Sequence, residues 1–239
     1  MLLEVENLHA GYGKTEVLHD VHLHMGAGEV VGLIGPNGAG KSTILKAVFG
    51  LATVTRGRIR FQDSDILREP THALLAKGVA YVPQGRLVFP SLTVEENLRM
   101  GGYTIRSRAA VNQRIEDLYE RFPSLQQLRS KRAGDLSGGQ QQLAAMGRSL
   151  MVSPSLLMLD EPSLGLSPVA CGEVYGALRS LRDAGTALLI VEQNVHLVLG
   201  IASRIVCLAN GAVRAEGTPA EFCDPDRMRE LYFGSKNLS

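Results

Sequence analysis

One short stretch constrains this chain more than any other. Gly35-Pro36-Asn37-Gly38-Ala39-Gly40-Lys41-Ser42 fits the pattern G-x-x-x-x-G-K-[ST], and Thr43 follows it. The apolar run from Glu29 to Ile34 before it reads as a buried strand, and Ser42 to Leu51 after it reads as a helix with Gly50 near its stop. Glycines in such a turn let successive backbone N–H groups face one anion. The helix that starts there adds the positive end of its dipole. Lys41 supplies a cation for the β- and γ-phosphates of a nucleotide, and the Ser42 hydroxyl suits Mg²⁺. A glycine turn with an incidental lysine is the plain alternative, but it does not account for the strand and helix on either side.

The rest of the chain is read around that unit. Strand signals occur at Leu3 to Leu8, Val17 to Met25, Arg58 to Phe61 and Val79 to Val82. After Pro83 the character changes: Thr93-Val94-Glu95-Glu96 is a capping box, helical periodicity runs from Val111 to Phe122, and Pro123 stops it. From Leu92 to about Ser149 there are helix signals and no convincing strand. Strands return at Leu156 to Leu159, Ala187 to Val191, Ile205 to Leu208 and Val213 to Glu216, with helical stretches between the first three. Strands alternating with helices imply a parallel sheet covered on both faces.

Composition narrows the function classes. A chain of 239 residues with 45% apolar and 21% charged residues can bury a substantial core, and a net charge of +1 gives no electrostatic reason to expect a nucleic-acid partner. Cys171, Cys207 and Cys223 lie far apart without metal-ligand spacing, so buried thiols in a reducing compartment are expected. No apolar run approaches the length of a membrane span, and Met1-Leu2-Leu3-Glu4 does not begin a secretion signal. A role at a membrane would require recruitment by a partner.

A second chemical feature is Leu156-Leu157-Met158-Leu159-Asp160-Glu161, an apolar strand ending in two carboxylates. Ligands of open α/β sheets sit at the carboxyl ends of strands. Asp160 is therefore placed to hold Mg²⁺ through water, and Glu161 to orient or deprotonate an attacking water. A third is Leu136-Ser137-Gly138-Gly139-Gln140 before a helix from Gln141 to Met151. Ser137 is an N-cap type, and bare N–H groups at a helix start form a second anion site.

With these three motifs in this order, the sequence resembles the nucleotide-binding subunits of ABC transporters essentially from end to end. The resemblance implies a P-loop NTPase of ABC type: a RecA-like mixed-sheet α/β core over 1–85 and 150–239, an antiparallel N-terminal β subdomain, and an inserted helical subdomain over 86–149. It implies that ATP and Mg²⁺ are bound by Tyr12, Gly35, Pro36, Asn37, Gly38, Ala39, Gly40, Lys41, Ser42, Thr43, Gln84, Asp160, Glu161 and Gln193. Tyr12, in Gly11-Tyr12-Gly13, falls at the position that stacks on adenine, and Gln84 at the glutamine-loop position that can touch Mg²⁺. Ser137, Gly138, Gly139 and Gln140 would serve the site of a second ATPase subunit arranged head to tail. Ser163-Leu164-Gly165-Leu166 would cross that interface.

The further stretches Tyr81-Val82-Pro83-Gln84-Gly85-Arg86, Phe89-Pro90, Leu92 to Leu98, Glu161 to Pro168 and Val191-Glu192-Gln193-Asn194 look like the shorter ATPase subunit of branched-chain amino acid importers. That likeness implies integral membrane permease subunits, an indirect solute-binding partner and a place on the cytoplasmic face of the inner membrane. Importers of urea and short amides, or an ABC ATPase without a transporter, are the alternatives. Two positions depart from the family pattern. Gln193 stands where a histidine is usual near the γ-phosphate; its amide donates hydrogen bonds but cannot become a cation. Leu166 stands where aspartate is common. His196 is expected to be a surface helical residue rather than a substitute for the missing histidine.

Overall fold

The structure of the protein, a computed structural model, describes residues 1–224, 228, 229 and 231. In chain order the first elements are β1 (Leu3–Tyr12), β2 (Thr15–Met25), β3 (Val30–Ile34), α1 (Lys41–Val48), β4 (Thr53–Phe61), β5 (Ser64–Asp65) and α2 (Thr71–Lys77). Next come β6 (Val79–Val82), α3 (Val94–Gly101), α4 (Arg108–Arg121), α5 (Pro123–Gln127) and α6 (Gly138–Leu150). The last are β7 (Leu156–Asp160), α7 (Pro168–Asp183), β8 (Ala187–Val191), α8 (Val195–Leu199), β9 (Arg204–Ala209) and β10 (Ala212–Gly217). The chain divides into two compact units, Met1–Thr71 with Ala187–Ser239, and His72–Thr186.

In the first unit, β1 pairs antiparallel with β2 and β4, and β5 extends that sheet beside β4. A second set of strands centres on β3, which runs parallel to both β8 and β9, while β10 returns antiparallel to β9. Every residue of β3 and β8 is buried, so both read as unbroken apolar runs without alternation. Gly32 of β3 is small for a packing reason: a Cβ there would lie 2.6 Å from Val198 of α8 and 2.8 Å from Ile205 of β9. The mixed sheet and the antiparallel N-terminal sheet match the fold class expected from the sequence.

In the second unit β6 and β7 pair in parallel, and the described residues between them form helices α3 to α6, a short 3₁₀ turn at Ala133–Asp135 and one isolated bridge, Thr93 with Arg132. Side chains cap four helices of this unit. Thr93 and Glu96 make the expected capping box on α3, Ser137 and Gln140 make another on α6, and Ser107 and Ser167 cap α4 and α7. Pro123 ends α4 as expected, yet it also opens α5, because a residue without an N–H costs nothing in the first turn of a helix.

Fully buried Asn97 on α3 is a polar clamp. Its Oδ1 accepts from Phe89 N at 2.8 Å, and its Nδ2 donates to the carbonyls of Phe89 (3.0 Å), Leu92 (3.3 Å) and Thr93 (2.9 Å). The cysteines depart from expectation: only Cys207 is buried, Cys171 is half-buried and Cys223 is exposed. Among the described residues no helix is long and apolar enough to cross a membrane.

Candidate functional site

The phosphate loop occupies the turn between β3 and α1, with the helix beginning at Lys41, one residue earlier than the sequence suggested, and ending at Val48 rather than Leu51. Gly35 has φ 147°, and a Cβ on it would sit 2.0 Å from the Leu208 carbonyl oxygen, so no side chain fits there. Gly40 closes the turn in a left-handed conformation as the N-cap of α1, with no side chain satisfying the helix start. The loop is braced by its own unit: Ala39 N donates to Pro36 O at 3.2 Å, and Gly211 N, in the turn between β9 and β10, donates to Ala39 O at 3.0 Å.

Lys41 is 5% exposed, and its Nζ donates to Gly35 O at 2.7 Å and Pro36 O at 3.0 Å. The ammonium is thus held by carbonyls of its own loop, which satisfy a cation that is buried. Burial pushes the Cys207 thiol up to about 11, and the Lys41 charge opposes that rise. Cys207 is accordingly an uncharged packing group beside the loop. Asn37 and Gly38 at the loop's crest are exposed, Pro36 and Ser42 are half-buried, and Thr43 is buried. Tyr12, at the end of β1, is 44% exposed; its hydroxyl lies 3.5 Å from Thr43 Oγ1, and Lys46 Nζ sits 5.8 Å over its ring. An exposed aromatic face next to the start of α1 can stack on a planar base. Gln193, just after β8, is exposed, and His196 on α8 is exposed as expected.

The second unit assembles the remaining sequence-identified residues. Asp160 is the last residue of β7 and 2% exposed; the Tyr81 hydroxyl of β6 donates to its Oδ2 at 3.1 Å. Glu161 follows with φ 50°, a left-handed conformation that is uncommon for a residue with a side chain. The exposed Gln84 donates from Nε2 to Glu161 Oε2 at 3.0 Å. Ser137 is exposed at the start of α6, and its backbone N–H donates to Gln140 Oε1 at 3.0 Å, so Gln140 serves the helix cap. A Cβ on Gly139 would lie 2.6 Å from the Ala170 Cβ, so this glycine lets α6 and α7 approach.

Two participants escaped the sequence reading. Tyr81 is an apolar-strand residue by pattern, and nothing in the sequence announces its bond to Asp160. Arg86 has φ 52° and donates from Nη2 to the carbonyls of Leu164 (3.0 Å) and Gly165 (2.7 Å). A Cβ added to Gly138 would stand 2.5 Å from the other Arg86 terminal nitrogen. One guanidinium therefore ties the segment after Gln84 to the loop after Glu161 and lies against Gly138 at the start of α6. A residue so far away in sequence from two of its partners leaves no local signal.

The family model described as ABC transporter matches residues 18–164. This chain belongs to the ABC transporter family. Among curated relatives, it is 40% identical to the high-affinity branched-chain amino acid transport ATP-binding protein BraG of Pseudomonas aeruginosa, over 98% of this chain and 100% of that one. It is 38% identical to a probable branched-chain amino acid transport ATP-binding protein, LivF, of Archaeoglobus fulgidus, over 98% and 99%. It is also 34% identical to the lipopolysaccharide export system ATP-binding protein LptB of Escherichia coli K12, over 97% of both. Among solved structures, an ATP-binding cassette of an ABC transporter in its ADP conformation superposes with a TM-score of 0.87 at 27% identity, covering 98% of this chain and 99% of the other. The protein is an ABC ATPase: it binds nucleotide and hydrolyses ATP in the service of transmembrane transport.

Proposed function

We propose that this ABC ATPase energises an importer of branched-chain amino acids, working as one of two ATPase subunits on the cytoplasmic face of the inner membrane beneath integral permease subunits. The observation that carries the substrate class is end-to-end similarity to BraG at 40% identity. In this reading a solute-binding protein delivers the amino acid to the permease, and no nucleic acid is involved.

In the proposed site, Tyr12 stacks on adenine, and the loop from Gly35 to Thr43 wraps the phosphates with Lys41 on the β- and γ-oxygens. The residues suit Mg²⁺: a half-buried hydroxyl on Ser42, a buried carboxylate on Asp160 held by Tyr81, and the exposed amide of Gln84 are all hard oxygen donors. The ion would neutralise charge on the transferred phosphoryl group. Glu161 orients the attacking water, with Gln193 donating near the γ-phosphate. Phosphoryl transfer asks for positioning and charge stabilisation more than covalent help, and these groups supply both. Ser137, Gly138, Gly139 and Gln140 face the nucleotide of the partner ATPase subunit. Because Gln193 cannot become a cation and Leu166 carries no carboxylate, the two composite sites are unequal. We infer a helical subdomain over 86–149, hinged at the Gln84 loop, inserted in a core of 1–85 and 150–239; the last residues of that core lie outside those described.

The test is to co-express the chain with its second cassette, permeases and binding protein in membranes and measure ATPase stimulation by loaded binding protein. Leucine, isoleucine or valine should stimulate. Stimulation by urea or a short amide alone would move the substrate class, and restoration of lipopolysaccharide export in cells lacking that system's ATPase would favour the second reading that the LptB similarity raises. In the assembled complex, Gln84→Ala should uncouple transport from hydrolysis while leaving ATP affinity nearly intact. Proportional loss of both, with weakened ATP binding, would refute the hinge.

A further inference from the structure

Of the chain's six histidines, His9, His19, His22 and His24 lie on β1 and β2, and none belongs to a nucleotide motif. Strict alternation would put Glu16 and His19, three apart on β2, on opposite faces of the sheet. The register breaks that rule. Ala10 pairs with Leu18 and the next residue, Gly11, with Glu16, so β2 carries one extra residue at Val17. A second extra residue lies between Leu18 and Val21, which pairs with Leu8, and Asp20 there has φ 52°. The two bulges turn His9, Glu16 and His19 toward one point.

At that point His9 Nδ1 lies 2.9 Å and His19 Nδ1 lies 3.0 Å from the same oxygen, Glu16 Oε1. The three ligand atoms all fall within 4.8 Å of one another, and the two rings meet edge-on at 6.5 Å and 75°. Thr55 Oγ1 of β4 donates to the other carboxylate oxygen, Glu16 Oε2, at 3.2 Å and fixes its orientation. Side-chain exposure of 22% for His9, 39% for Glu16 and 52% for His19 leaves an open side for water.

We propose that His9 Nδ1, Glu16 Oε1 and His19 Nδ1 form a binding site for one divalent first-row transition-metal ion of the zinc type, with water completing its coordination. Zinc bonds of about 2.0–2.1 Å in a tetrahedron separate the ligands by roughly 3.3 Å, close to the two distances observed. Two imidazoles and a carboxylate select zinc, copper or nickel over Mg²⁺ and Ca²⁺, which take oxygen ligands. The site is thus chemically separate from the one proposed for Mg²⁺ and nucleotide. Without the ion, both rings donate an Nδ1 proton to Glu16. When the ion takes the Nδ1 positions, each ring carries its proton on Nε2 instead. The neighbouring set of Asn7, Asp20 and His22 is a control: there the Asn7 Nδ2 amide donates to Asp20 Oδ1 at 2.9 Å and lies 3.2 Å from His22 Nε2, filling the space with a donor that binds no cation.

The experiment uses the full chain without an affinity tag, stripped of metal and free of nucleotide. Co²⁺ is titrated and followed by its visible absorption, then displaced by Zn²⁺. The expected result is one ion per chain, weakened about tenfold or more in His9→Ala, Glu16→Gln and His19→Ala, and unchanged in His22→Ala. His19→Gln, which can still hydrogen-bond to Glu16, guards against a folding defect: it should melt like the parent without metal and lose the rise in melting temperature that Zn²⁺ gives the parent. Absence of binding by the parent, equal binding by the parent and the ligand variants, or an equal loss in His22→Ala would overturn the assignment.

Discussion

Removing a single hydroxyl, Tyr81→Phe, tests how Asp160 is held. The bond from Tyr81 to Asp160 spans 3.1 Å, and the two residues are 8% and 2% exposed, so water does not readily replace the lost donor. A hydrogen bond to an ionised group in such a setting is worth about 1.5–3 kcal/mol, and the phenyl ring keeps the packing of the tyrosine. The free enzyme should therefore lose about 2 kcal/mol of stability, read from urea unfolding followed by fluorescence or circular dichroism. The second consequence is functional. A carboxylate that has lost one of its orienting partners holds a cation less well, by about 10- to 100-fold where such partners have been removed from metal sites. The Mg²⁺ concentration for half-maximal ATP hydrolysis should rise by that order, while binding of ATP measured without Mg²⁺ stays near the parent value. A Tyr81→Phe protein with the parent's stability and Mg²⁺ dependence would refute both the strength of this bond and the place of Asp160 in the metal's reach.

Asn97→Ala deletes the four hydrogen bonds of the clamp at the start of α3 and should cost about 3 kcal/mol, since each is worth roughly 0.5–1.5 kcal/mol and the partners are only partly buried; urea unfolding with a loss under about 1 kcal/mol would contradict it. Gly35→Ala forces a Cβ to within 2.0 Å of the Leu208 carbonyl at a φ of 147°, so the loop must move; ATP binding by equilibrium dialysis should fall about tenfold or more, strain of this kind costing about 1–3 kcal/mol. For Glu29, burial alone would raise the carboxyl, but the Arg204 guanidinium at 2.6 Å and the Gly26 N–H hold it below its ordinary value of about 4.5. A depressed folded-state value means the stabilisation is full above pH 4.5 and is lost as the pH falls below it. Between pH 5 and pH 3 the parent's urea midpoint should therefore fall further than that of Glu29→Gln, and an equal fall would show that the pair does not matter.

The parts of this protein that the sequence states openly are those with local physics. The phosphate loop needs glycine at Gly35 and Gly40 because the turn itself requires their backbone angles, and the capping boxes at Thr93 and Ser137 close within a single helical turn. Fully buried strands such as β3 and β8 betray themselves as unbroken apolar runs. These features fix the class of fold and mark the residues proposed to meet a nucleotide. Where local signals were weak, boundaries slipped: β4 begins at Thr53, well before the apolar residues Ile59 and Phe61 that marked it, because its polar half is held by pairing to β1.

What the chain folds into also settles matters no local pattern encodes. Tyr81 reaches Asp160 across 79 positions, and Arg86 reaches Gly165 across another 79, so both contacts exist only once the second unit has closed. His9, Glu16 and His19 converge only because β2 carries two extra residues against β1, a register that depends on the pairing of whole strands. A sequence determines turn geometry, caps and apolar runs by forces acting within a few residues. The meeting of distant polar groups depends on how strands and helices pack, and that packing is a property of the folded unit.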